Sequence, residues 1–341
     1  MIMLYRDAIL VLVGIVALAT RPPRFAAATD ITDEIDYVNS FGRAPFTSTS
    51  LFNVYDANDC PAVSHMDSAA AIPAQMAGKL LSPLVVLGCS TAHGSSGRIA
   101  VFGHVDPASA AFTHIATISG SDIGAGGQLG TAVSIDVING EYVIAASAIA
   151  DGGHLYLFRQ RDPSDPLSGW RQFAKEELYA SNDCSTTTHT MDGNVVMVGC
   201  RFASSSGHAQ NGVVVFHTID LAAESTTQVV GVEGVGSYTW QGTVLSMSGN
   251  RAVATATNDW SGGSHGRVYV LETVDAGASW STAARIGGPG SMFGRGISMV
   301  GSTVCCGSSD SAFIYQETAT NAWTQLTELV PKDSMYVEAP S

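Results

Sequence analysis

At 341 residues the chain exceeds the size one hydrophobic core serves, about 250 to 300 residues, so it is split into domains or built from units that renew the core. Its 45% apolar and 13% charged residues exclude a disordered chain, and its net charge of −14 excludes electrostatic attraction to nucleic acid or anionic lipid. The 36 glycines and the scarcity of lysine (Lys79, Lys175 and Lys332 only) suit short strands and tight turns.

The chain opens with Arg6, an apolar stretch from Ala8 to Ala19 and two small-residue cleavage options, after Ala19 or Ala28. Residues 1–28 are therefore expected to be a secretory signal peptide. Twelve apolar residues are too few to span a bilayer, which needs about 20. A signal anchor is the alternative reading, because Arg21 and Arg24 follow the apolar stretch. Cleavage would remove three arginines and Asp7, making the mature chain two units more negative. Later segments are not apolar enough to cross a membrane, so no membrane insertion of the mature chain is expected. The polar tail 331–341 carries no lipid-anchor pattern.

Residues 29–64 form an N-terminal segment in which Phe41-Gly42 and Leu51-Phe52-Asn53-Val54-Tyr55 could supply a partial, degenerate blade. From 65 to 330 the chain repeats. Five β-branched runs begin at Val85, Val143, Val195, Val253 and Val304, each followed across a Gly/Ser-rich loop by a second β run. The small residues closing the first runs, Gly88, Ala146, Gly199, Thr255 and Gly307, are 58, 53, 56 and 52 apart, a spacing typical of propeller blades. Within the second repeat the strands are Leu129 to Ile135, Glu141 to Ser147, Gly153 to Phe158 and Trp170 to Leu178. In the fifth they are Phe293 to Met299, Thr303 to Gly307, Ala312 to Tyr315 and Trp323 to Val330. The expected fold is an all-β propeller of about five four-stranded antiparallel blades, with room for six or seven. No fourth strand is recognisable before Val85, which suggests that the two chain ends share one blade and that the C-terminus closes the ring.

An exported chain meets oxidising conditions, so its six cysteines are candidates for pairing. Cys184 and Cys200 are symmetrical about Asp192 in an Asp192-Gly193 hairpin, and Cys60 precedes Cys89 as Cys184 precedes Cys200. Cys184–Cys200 is the expected disulfide and Cys60–Cys89 its companion. Cys305 and Cys306 are adjacent on one strand, point to opposite faces and read as separate buried thiols.

The stretch from Ser121-Asp122 through Phe158 resembles the FG-GAP repeat, the propeller family that includes integrin α heads. Leu129-Gly130 and Phe293-Gly294 stand at its Phe-Gly position, with Leu87-Gly88-Cys89 and Val198-Gly199-Cys200 where that family has Gly-Ala-Pro. The resemblance covers about residues 65 to 330 and implies an extracellular adhesion or binding role. Calcium-binding members carry Asp-rich loops between first and second strands. Here those loops (Asp136 to Gly140, Asp192 to Asn194, Ser248 to Asn250, Val300 to Ser302) lack the alternating acids that six to eight oxygen ligands require, so a calcium-free variant is implied. Thr273 to Trp280 also resembles the Asp-box turn of sialidase propellers, once only, and without an arginine set to hold a sialic acid carboxylate.

His93, His154, His208 and His265 fall in second-to-third-strand loops, but equivalent loops around a ring need not converge within the approximately 2 Å of a metal bond, so no metal or cofactor is expected. Those loops and the blade-to-blade connections emerge on one face. The candidate ligand-binding residues on it are Trp260, Asp259, His265, Trp240, Tyr238, Asp122 and Asp183, a mixture of rings and carboxylates suited to a glycan or protein ligand. The Gly-x-Ser-x-Gly, His-Glu-x-x-His and phosphate-loop patterns are missing, and Glu176 and Glu177 point to opposite faces of a strand, which leaves no catalytic residue to name. The sequence thus reads as an exported non-enzymatic binding or adhesion module. The alternative is a carbohydrate-active hydrolase or lyase on the same scaffold.

Overall fold

A computed structural model describes residues 68–72, 75–76, 79–80 and 84–330, apart from short loops at 91–95, 104–112, 120–122, 125, 150–152, 163–167, 179–183, 185–186, 206, 235–238, 258, 260–265, 289–292 and 310. The signal peptide, Cys60, the rest of residues 29–64 and the 331–341 tail lie outside that set. The described chain forms five four-stranded antiparallel sheets, each a meander of successive strands. Sheet one is Ser68–Ile72, Leu84–Cys89, Arg98–Gly103 and Thr113–Ile118, with a two-residue ladder (Gln75–Met76 with Lys79–Leu80) between its first two strands. Sheet two is Val133–Ile138, Glu141–Ala148, His154–Gln160 and Trp170–Glu177. Sheet three is Thr187–Asp192, Val195–Cys200, Val213–Asp220 and Ser225–Glu233. Sheet four is Gln241–Ser248, Arg251–Ala256, Arg267–Glu272 and Ser281–Gly287. Sheet five is Ile297–Val300, Thr303–Gly307, Ala312–Ala319 and Ala322–Leu329.

Successive sheets stack face to face, which is the arrangement of propeller blades, and the apolar pattern follows from it. The second strands of sheets two, three and four are buried on both faces because each of these sheets is sandwiched between two others; Val195–Cys200 has no exposed residue. Val196, Val198 and Cys200 pack toward sheet two with Val143, Ala145 and Leu157. Val195 and Met197 pack toward sheet four with Ala252, Ala254 and Tyr269. Fourth strands lie at the rim and are mostly exposed or half-buried, as Ser281–Gly287 is. The small residues that mark the repeat are required by contact between sheets. A Cβ on Gly88 would meet the Gly130 carbonyl oxygen at 2.0 Å, and one on Gly199 would meet that of Gly242 at 2.1 Å.

The sheets correct the expected ring closure. The Trp323 strand pairs with Ala312–Ala319 as the fourth strand of its own sheet, and sheet one is completed by Ser68–Ile72, so among the described residues no blade is shared between the two ends. Ser68-Ala-Ala-Ala-Ile72 was unreadable as a strand because it has a single β-branched residue and no alternation. The Cys184–Cys200 disulfide is present, with a different geometry from the one expected. The hairpin turns at Gly193-Asn194 and Thr187 stands opposite Cys200, so Cys184 reaches back from three residues beyond the strand. Cys89 is also disulfide-bonded, while Cys305 and Cys306 are buried free thiols.

Candidate functional site at the loop end of sheets three and four

The two ends of the stack are built differently. First-to-second-strand turns occupy one end, and their polar groups bond from sheet to sheet. The Asp136 carboxylate accepts from Val137 N–H (2.7 Å) and from Gly193 N–H of the next sheet (2.6 Å). Asp192 accepts from Gly249 N–H, and Ser248 Oγ accepts from Gly301 N–H (2.9 Å). Burial raises the Asp136 carboxyl above the usual range and the charge of Asp192 adds to this, against the lowering effect of its two amide bonds. The two acids of the turns once compared with calcium loops are thus engaged by backbone amides.

The opposite end carries the second-to-third-strand loops and the sheet-to-sheet connections. There the junction of sheets three and four gathers a polar cluster. Asp259 is fully buried; its carboxylate accepts from the Tyr269 hydroxyl (2.8 Å) and faces Arg267 Nε at 3.6 Å. Burial first, then the bond to Asp259 and its charge, push the Tyr269 hydroxyl well above the usual phenol range, so it remains a donor. Gln241, Ala256 and Arg267 share one cross-strand row, with small Ala256 between the two polar side chains. Asp259 N–H donates to the Ala256 carbonyl (3.2 Å), which brings the row and the carboxylate to the same end of sheet four.

Gln241 is the most informative member. Its sister positions hold Leu129 and Phe293, both fully buried; here an amide is equally buried, and neither Oε1 nor Nε2 has a hydrogen-bond partner. Leaving such an amide unmet costs about 1–3 kcal/mol per group, a cost the sister repeats avoid. Beside it, Trp240 is held at φ 55, in the left-handed region that costs a non-glycine residue about 1–2 kcal/mol. Its ring is half-buried, meets Phe202 edge-on at 5.8 Å, and leaves Nε1 unpartnered. The Arg201 guanidinium lies 4.3 Å over Phe202 with its Nε also unpartnered, and burial lowers its pKa. The Cys184–Cys200 disulfide anchors this corner, since Arg201 follows Cys200 directly.

Of the seven candidate ligand-binding residues, the structure brings Asp259 and Trp240 to this corner. Trp260, His265, Tyr238, Asp122 and Asp183 lie outside the described residues, as does His93. His154 begins the third strand of sheet two and His208 is exposed on the third sheet's loop, beside a shallow open depression lined by Ser204, Ser205, Gly207 and Ala209. Sequence reading missed Gln241, Arg201, Arg267 and Tyr269. A signal for the first was present: Trp240-Gln241-Gly242 puts an amide in the slot that Leu129-Gly130 and Phe293-Gly294 fill with apolar residues. The Asp-box-like turn does form, with Asp275 accepting from Ser279 N–H (2.8 Å) and Gly277 N–H donating to Thr273 Oγ1 (2.9 Å). It serves to seat Trp280 flat on Phe216 at 4.1 Å.

No known family profile matches the chain, and no curated protein does. Solved structures do. A periplasmic gluconolactonase of Pseudomonas aeruginosa aligns with a TM-score of 0.54 and 12% identity over 79% of this chain and 73% of its own. The GH93 α-L-arabinofuranosidase of Fusarium graminearum aligns at 0.48 and 10% identity over 75% and 79%, and a protein of unknown function from Desulfotomaculum acetoxidans at 0.45 and 10% over 72% and 66%. At such identities the likeness is one of fold. It corrects the expectation of a non-enzymatic chain to this extent: the fold is one that an enzyme, the gluconolactonase, also uses, so the propeller scaffold does not speak against catalysis. A disulfide fits an oxidising compartment, and among the described residues no helix is long and apolar enough to cross a membrane.

Proposed function

We propose that the chain is an exported carbohydrate-active hydrolase on a β-propeller scaffold, acting on a sugar or a sugar lactone at the loop end of the sheet three and four junction. The observation that carries this reading is Gln241: a buried, unpartnered amide in a slot that sister repeats fill with Leu129 and Phe293. Stability alone favours an apolar residue there, so the amide is retained for a polar ligand. Trp240 supplies a flat apolar surface for a sugar ring. Gln241 and Arg201 supply donors to hydroxyl or carbonyl oxygens. Asp259, oriented by the Tyr269 hydroxyl and Arg267, is the carboxylate we assign to steering and deprotonating the attacking water. The gluconolactonase of the same fold supports placing a sugar lactone among the candidate substrates. Membership of the FG-GAP family belongs to the same proposal, resting on the Phe-Gly and Gly-Cys positions.

The test is a turnover screen of the secreted protein against aldonolactones and aryl glycosides. Asp259→Asn is expected to lower kcat at least a hundredfold, while Gln241→Leu is expected to raise KM and to leave the protein at least as stable as the wild type. Saturable glycan binding without turnover of any member of either panel would overturn the hydrolase reading, as would full activity in Asp259→Asn.

A further inference from the structure

Four gaps between successive sheets are filled with apolar side chains from both sides. Sheet one has a second apolar face that no described sheet covers. Val85 stands opposite Phe102 and Leu87 opposite Ala100, on the side away from sheet two, and all four are at most 9% exposed. Among the described residues, no strand of sheet five packs broadly against sheet one. The corresponding outward face of sheet five holds Ser298 opposite Cys305, both nearly buried, together with the exposed Val300 and Leu329.

Cys89 continues the row of Val85 and Leu87 on the covered face and is disulfide-bonded. The chain has six cysteines; Cys184 and Cys200 hold each other, and Cys305 and Cys306 are free thiols. Only Cys60 is left to hold Cys89. We propose that residues 29–67 of this chain occupy the gap between sheets one and five, tethered by a Cys60–Cys89 disulfide, with Leu51, Phe52, Val54 and Tyr55 supplying the apolar contact. Its 39 residues exceed the 33 that the four strands of sheet five span, from Ile297 to Leu329, so the segment is long enough to fill the gap. Joining it to both flanking sheets removes two open sheet faces at once.

Non-reducing peptide mapping of the secreted full chain is expected to recover a Cys60–Cys89 peptide pair. Native alkylation is expected to spare Cys305, which the segment would cover. A Leu51→Asp/Phe52→Asp double variant should then alkylate at Cys305 at least tenfold faster and lose hydrogen-exchange protection in 84–89 and 98–103, while 195–200 and 251–256 remain protected. Cys60 found as a free thiol, or bonded to another residue, overturns the proposal, and so does a variant with unchanged exchange in 84–103. If the variant loses protection in every strand it has not folded, and the peptide map of the wild type decides.

Discussion

The first-to-second-strand turns and the loop-end corner of sheets three and four treat buried polar groups differently. At the turn end Asp136, Asp192 and Ser248 each accept an amide hydrogen from the next sheet, so polar atoms stitch neighbouring blades together. At the loop end of the sheet three and four junction, Gln241, Trp240 and Arg201 hold polar atoms with no partner. Natural cores satisfy most of their buried polar groups, and the departures concentrate where function is imposed. Gln160 Nε2 and Trp170 Nε1, at the third-to-fourth-strand hairpin of sheet two, are unpartnered as well, so what sets the corner apart is that several such groups gather there.

The largest effect expected from breaking this contrast is at the disulfide that anchors the corner. A Cys184→Ser/Cys200→Ser variant should lose about 3 kcal/mol, the chain-entropy figure for a loop of about 15 residues. Thermal unfolding of the oxidised protein against the variant measures it. If Arg201 and Phe202 depend on this anchor, turnover should fall along with stability; a variant as stable and active as the wild type would show that the corner is held by packing alone.

A comparable effect is expected in acid. His217 is fully buried on the third strand of sheet three with neither ring nitrogen partnered, and burial lowers its pKa to about 4. His189 is lowered to about 4 as well, by burial against a smaller raising contribution from the Ala132 carbonyl; its Nδ1 lies 2.9 Å from Ser134 Oγ. The unfolded chain binds these protons first, near pH 6.5. Stability is therefore complete above about pH 6.5 and declines as the pH falls toward 4, by about 3 kcal/mol per histidine at most. His217→Leu should flatten the stability profile between pH 4 and 6.5. An unchanged slope would mean that other groups set the acid limit.

Reciprocal substitutions sharpen the contrast directly. Asp136→Ala strands the Val137 and Gly193 amides, so it should cost about 1–3 kcal/mol with kcat unchanged. Gln241→Leu makes its repeat like its sisters and should gain about 1 kcal/mol or more while weakening substrate binding. Denaturant melts beside Michaelis kinetics separate the two. Loss of activity in Asp136→Ala at full occupancy of the folded state would place function at the turn end as well.

Much of the fold was legible because covered strands need apolar residues on both faces, which puts Val143, Val195 and Val253 into a period that no loop disguises. The strand Ser68–Ile72 was illegible because alanine carries almost no strand preference, and its absence from the reading produced the mistaken shared blade. The site was half legible. Asp259 and Trp240 stand out among turn formers, whereas Arg267 and Tyr269 look like ordinary strand residues until the fold turns them toward the Asp259 carboxylate. Gln241 was readable only by comparison with its sisters, since one glutamine before a glycine carries no signal of its own.

The smallest effect is also the one that most cleanly separates stability from function. Trp240 and Gln128 occupy equivalent positions, one residue before Gln241-Gly242 and Leu129-Gly130, and both have positive φ, 55 and 54. The repeat therefore imposes the left-handed conformation, and the choice of tryptophan at one of the two positions is local. Glycine adopts that backbone without steric cost, so Trp240→Gly should recover part of the roughly 1–2 kcal/mol of strain, less the loss of the ring's contact with Phe202. The net change in melting should be close to zero or slightly stabilising, while KM for a sugar substrate rises about tenfold, equivalent to about 1.4 kcal/mol. A strongly destabilised Trp240→Gly would show that the ring is kept for packing, and the corner would then lose its stacking surface.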